Sequence, residues 1–330
     1  MSDTPSMVTL HRAPLGFVDR IVALTSWAVG GAVFLTIGWN AMAPNDPLGA
    51  VSVLSRTSGL AMVLQAAGLA AVCAAVATIL AGRKLIDVGT FAVAVGLSLV
   101  SLRGGTVSSM LQQSAAVDGS SEHALAAMFA LEAMAWFAVM AVALVASAVI
   151  MTWVFAKPRN AEKSAQRHSP PECSGELPAG LDVPWFSPLC FGDAGRRGTV
   201  PVEGLKHATL CAGVGLVVVS ALSASLTARS IEHGQVCFVI VASVLVASYV
   251  AHRVVPVRSA CWSIVGVALM AVAAYVWAAV RPQVASLPPL VPSSHFLRIL
   301  PIQFVSVGVA TAIVSAWYNL VPEPEDQTAG

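Results

Sequence analysis

LAAMFALEAMAWFAVMAVALVASAVIMTWVF, residues Leu125–Phe155, runs for 31 residues with a single ionisable side chain, Glu132. About 20 mainly apolar residues cross a hydrocarbon layer about 30 Å thick, at about 1.5 Å of rise per residue. The stretch has no alternation of polar and apolar residues, which the strands of an outer-membrane barrel would require. It reads as a membrane-spanning helix with length to spare.

Working outward, seven more apolar stretches of comparable character appear. They are Ile21–Met42, Leu60–Ala81, Leu85–Leu102, His207–Ala228, Val236–Ala251, Cys261–Val280 and Leu300–Leu320, the third and sixth of the full set being shortest. The whole chain of 330 residues is 57% apolar and only 11% charged, whereas a soluble domain carries about 25% charged residues. That composition excludes a soluble globular enzyme and a disordered chain. A net charge of +1 offers polyanions no electrostatic handle, so nucleic acid is excluded as a partner. The expected fold is all-α, a polytopic membrane helix bundle of about eight transmembrane helices with the lipid bilayer as its first partner.

Hydrophilic segments divide this bundle. Residues 1–20 form an N-terminal segment, 21–156 a first four-helix half, 157–206 a Pro-rich linker, 207–320 a second four-helix half and 321–330 an acidic tail. Each half has a similar plan, with a hairpin closed by basic residues and a final helix introduced by Ser-Ser. That plan suggests a parallel 4+4 repeat, since an even number of spans per half keeps the halves in one orientation. Ser120-Ser121 and Ser293-Ser294 read as helix caps, each followed shortly by a histidine, His123 and His295. Two histidines without a third ligand make no recognisable zinc pattern, and no metal or other cofactor is expected.

Thirteen Lys and Arg residues fall on the N-terminal side of the bundle and five on the other. The excess places both termini in the cytoplasm, which in a bacterium means the cytoplasmic membrane. Seven of the thirteen belong to the long linker, where charge steers insertion weakly. The first apolar stretch, of about 20 residues, exceeds the 7–15 of a secretory signal and reads as a retained helix.

Lipid tails are as apolar as leucine, so the helices must pack through small residues and a few hydrogen bonds. Small residues recur at four-residue spacing in Ala67-Ala71-Ala75, Ala92…Gly96, Ser220…Ala224, Ser243…Ala247 and Gly308…Ala312. An ionisable side chain at mid-bilayer would mark a functional site. Glu132 lies 22 residues from Val154, about 33 Å along a helix, and reads as an interfacial charge; a buried site is the alternative. Trp136 then joins an outer aromatic belt. Gln65 and Gln303 lie one to two turns inside, placed to bond across helices or, with Glu132, to line a substrate path. In the linker, Trp185, Phe186 and Phe191 form an apolar patch suited to docking on a partner or on the membrane. Six cysteines show no CxxC spacing.

No span carries a mid-bilayer charge of the kind a proton pump or voltage sensor needs, and no Walker or HExxH motif is present. Catalytic residues are therefore not expected. Three functions remain: a non-catalytic scaffold or subunit of a membrane complex, a transporter or channel with a solute path between the halves, and an intramembrane lipid enzyme. The last lacks the paired acidic or histidine motifs its chemistry requires. A reporter fused at residue 330 is expected to read cytoplasmic and one inserted after Arg103 external; the reverse readings would invert the orientation.

Overall fold

A computed structural model describes residues 17–46, 49–55, 58–82, 87–110, 122–155, 200–226, 232–257, 259–281 and 294–319. The expected linker up to residue 199, with Trp185, Phe186 and Phe191, and the acidic tail lie outside the described residues. The described chain is a bundle of α-helices, as the composition requires. α1 covers Phe17–Val33 and continues through a π-helical turn, Phe34–Gly38, into Trp39–Met42. There follow α2 (Gly59–Ala81), α3 (Val88–Arg103), α4 (Glu122–Phe155), α5 (Val200–Leu226), α6 (His233–Val254), α7 (Ala260–Val280) and α8 (Pro301–Asn319).

Seven of these, all but α3, are long and apolar enough to cross a membrane. α3 has 16 residues, about 24 Å, which is less than the hydrocarbon thickness. It needs no match to lipid because protein sheathes it: almost every residue from Val88 to Leu97 is buried. α5 begins at Val200, seven residues before the expected start, with Pro201 in its first turn, where a missing N–H removes no helical bond. α6 is likewise longer than its apolar core suggested, at 22 residues.

The helices alternate in direction, so the ends of α1, α3 and α7 and the beginnings of α4, α6 and α8 lie at one end of the bundle. This is the far end of the bundle; the near end holds the start of α1. Within the first half α1 packs on α2 and α3, and α4 packs on α2 and α3. Within the second, α5 packs on α6 and α7, and α8 packs on α6 and α7. Between the halves α3 lies on α8, α7 on α4, and α4 on α8. α8 is thus central and is the most enclosed of the spans.

Small residues set the closest approaches. A Cβ at Gly30 of α1 would collide with the backbone of Ala92 in α3, and one at Gly96 with Phe34 and the Gly30 carbonyl. The expected Ala92…Gly96 contact is therefore real, and Ser243, Ala247, Gly308 and Ala312 are likewise buried. Two expected stripes are displaced. In α2 the enclosed row is Met62, Ala66, Ala70, Ala74 and Ala77, one residue away from Ala67-Ala71-Ala75. In α5, Ser220 and Ala224 face outward, and Cys211, Gly215, Val219 and Ser223 face inward. Alanine is so frequent that several rows satisfy the spacing, and only the neighbours decide which is used.

Replacing Gly96 with Val is expected to destabilise the bundle by about 1–3 kcal/mol through overpacking at the α1–α3 crossing. Gly213→Ala, at an outward position with nothing within 4 Å of its Cβ, should change stability by no more than about 0.5 kcal/mol. Unfolding in mixed micelles measures both; equal effects would remove the crossing from this account.

Candidate functional site

The far end holds the buried Glu132, Arg298 and Gln303. Its centre is Glu132, ten residues into α4 and 3% exposed. The Ser52 hydroxyl donates to Oε2 at 2.6 Å, the Val53 backbone N–H to Oε1 at 3.0 Å, and the Trp136 indole N–H to Oε1 at 3.1 Å. Both carboxylate oxygens are engaged. The expectation of an interfacial charge is corrected here: length along α4 puts Glu132 toward one end, but protein encloses it. Trp136 is corrected with it, being fully buried rather than part of a lipid-facing belt.

The reason lies in residues 49–53, which are not α-helical and of which Gly49, Ala50, Val51 and Ser52 are buried. Backbone outside a helix or sheet must find partners inside the protein when lipid replaces water. Glu132 provides one for Val53, and the Gly49 carbonyl accepts from the Gly105 N–H at 2.8 Å. A second such segment precedes α8, where residues Phe296–Leu300 are all buried. There Tyr275 of α7 donates its hydroxyl to the Ile299 carbonyl at 2.9 Å. Tyr275 lies edge-on to Phe129 at 5.6 Å and to Phe304 at 6.1 Å. The expected cap at Ser294 is absent: its side chain makes no cap bond, and it opens a 3₁₀ turn, His295–Arg298, ahead of α8.

Gln303 of α8 is buried and bonds across helices, its amide N–H donating to His233 Nδ1 of α6 at 2.8 Å. His233 in turn donates from Nε2 to the Gly104 carbonyl beyond α3, at 3.0 Å. His123 at the start of α4 donates from Nδ1 to the Ala279 carbonyl in the last turn of α7, at 2.6 Å. Helix C-termini leave carbonyls without intrahelical partners, and these two histidines serve them across the boundary between halves. Gln65 is placed apart from this group, exposed on the outward face of α2.

Charged groups outside the spans cluster beside α8. Arg298 is buried, which draws its guanidinium below the ordinary value while Glu122 acts in the opposite direction. Burial likewise lowers the His295 imidazole, and the positive charges of Arg298 and Arg281 lower it further.

At the near end the sequence reading missed a histidine pair. His207 of α5 and His252 of α6 stack edge to face with ring centroids 4.6 Å apart. His207 donates from Nδ1 to the Val255 carbonyl at 2.9 Å, and its Nε2 accepts from the Ser263 hydroxyl at 3.1 Å. Their distance of 45 positions leaves no local signal; the hint was only that both lie in polar helix termini. At the same end of the bundle, the Thr78 and Ser147 hydroxyls and the Ala74 carbonyl stand where a Cβ at Gly89 would project. Among the described residues no three His, Cys, Asp or Glu side chains come together to hold a metal.

No family model, curated protein or solved structure matches the chain.

Glu132→Leu removes the acceptor of three buried donors, each left unsatisfied at about 1–3 kcal/mol. The expected loss is about 2–4 kcal/mol, allowing for relaxation, read by unfolding in mixed micelles. A loss below about 0.5 kcal/mol would deny Glu132 its structural part.

Proposed function

We propose that the chain is a non-catalytic membrane component, a helical scaffold or subunit whose protein partners supply any chemistry. The observation that carries this reading is the state of Glu132. It is the carboxylate within the apolar length of α4, and donors of this same chain occupy both of its oxygens. A group that carries protons or binds solute needs a vacant or exchangeable partner, whereas this one fastens residues 52 and 53. Gln303 is used in the same manner, between His233 and α8. The polar side chains that suggested a path thus have structural employment, apart from Gln65. In this reading both termini face the cytoplasm, and in a bacterium the protein belongs to the cytoplasmic membrane.

One observation favours a second reading, a transporter or channel. Counted within each half, the first and fourth helices pack on the second and third, and between halves a third helix meets a fourth in both directions. Such pairing is what a parallel 4+4 duplication would produce, and a solute path would follow the seam of α3, α4, α7 and α8.

Extraction from native membrane in mild detergent separates the two. Stoichiometric co-purification of other membrane proteins is expected. Recovery of the chain free of other proteins, with solute uptake into vesicles that Gln303→Ala abolishes, would overturn the scaffold reading in favour of transport.

A further inference from the structure

Gln65 presents an amide on the outward face of a span, about 9 Å from the first residue of α2. Its side chain has no hydrogen bond among the described residues. An amide facing lipid in this state seeks a partner on another helix, because hydrocarbon offers none. The residues around it have an order of their own. Ala61, Gln65, Gly68, Val72, Ala75 and Ile79 follow alternating steps of four and three, and all face outward except Ala75, which is half-buried. That is a heptad seam: Gln65, Val72 and Ile79 share one core position, and Ala61, Gly68 and Ala75 share the other. The row that packs on the rest of the bundle, Met62 through Ala77, is a different face of the same helix. α2 therefore has an inner face already occupied and an outer face patterned like a helix–helix contact.

The chemistry of Gln65 selects the occupant. Two copies inserted in one membrane have the same orientation, so a two-fold axis along the membrane normal makes their α2 helices parallel. Each residue of the seam then faces its own counterpart. A carboxylate or an ammonium would repel itself there, whereas an amide both donates and accepts and so complements itself. A polar residue at one core position of an otherwise apolar seam also fixes register and number of strands. Branched Val72 and Ile79 at that position suit a two-stranded parallel seam. Gly68, one turn farther in, has nothing within 4 Å of its Cβ position and lets the backbones approach.

We infer that this face of α2 is the contact between two copies of the chain, parallel α2 helices joined by reciprocal hydrogen bonds between the Gln65 amides. The inference rests on the reading of the chain as a subunit of a membrane assembly and names one interface of it.

The test is oxidative cross-linking of the full chain in native membranes. Gly68→Cys fits without displacement, and Gly213→Cys, on the outward face of α5 and equally open, is the matched control. The wild type, which keeps its native cysteines, sets the background. A dimer of Gly68→Cys with no product from Gly213→Cys is expected. The inference fails if Gly68→Cys stays monomeric, joins only a different polypeptide, or cross-links no better than Gly213→Cys. As a second arm, energy transfer between labelled copies in vesicles should show Gln65→Leu dimerising roughly 3- to 30-fold more weakly, the range expected for an interhelical hydrogen bond in lipid. Gln65→Asn, which keeps both donor and acceptor, should lose less. Unchanged association in Gln65→Leu would mean that the amide contacts headgroups or water, and would overturn the contact. Co-purified partners without the Gly68→Cys dimer would sink this interface and leave the scaffold reading standing. The dimer without partners would do the reverse.

Discussion

A chain that leaves its helix inside an apolar slab must find partners for its backbone within the protein, and the far end of this bundle is organised by that demand. Residues 49–53 and 296–300 are buried yet not α-helical. Glu132 answers for the first segment and Tyr275 for the second. A carboxyl group suits the task because its two oxygens accept several hydrogen bonds at once. The adjoining histidines do related work at helix ends, where His123 and His233 each receive a helix from the opposite half.

The near end is built differently. Gly89 and the Thr78 and Ser147 hydroxyls bring α2, α3 and α4 into close contact there, and the His207–His252 pair closes α5 against α6. Between the two ends runs α8, packed on α3, α4, α6 and α7. Its modest apolarity is no handicap, since it faces protein rather than lipid, and its Thr311 returns its hydroxyl to the helix's own Val307 carbonyl at 2.7 Å. The result is a bundle whose joints are specific at both ends and whose middle relies on shape.

Length and apolarity made the spans legible in the sequence, because the thickness of a bilayer sets a simple threshold. The inward face of each helix was much less legible. In water an amphipathic stripe marks the buried side, but here lipid and core are equally apolar and the stripe vanishes. That is why the spacing points to Ser220 while Val219 and Ser223 are enclosed, why Ala67 is only at the margin of the α2 contact, and why Trp136 reads as part of an outer aromatic belt. Where protein surrounds a helix on most sides, as for Gly96 in α3 and Gly308 in α8, the assignment succeeded because any small residue there is buried. Glu132 stood out in the sequence, but its partners did not: Ser52 and Val53 are about 80 positions away in an irregular segment with no motif. The cue available was that segment itself, a polar stretch too short to be a domain yet rich in Val, Ala and Gly before α2.

The central claim is that Glu132 is an anchor for buried backbone rather than a carrier. Hydrogen exchange of the Val53 amide, with the protein in lipid nanodiscs, measures this most directly. The account predicts slow exchange in the wild type, comparable with the helical interior of α4, and exchange faster by at least an order of magnitude when Glu132 is replaced by Ala. Rapid exchange at Val53 in the wild type, or protection that survives the loss of Glu132, would contradict it.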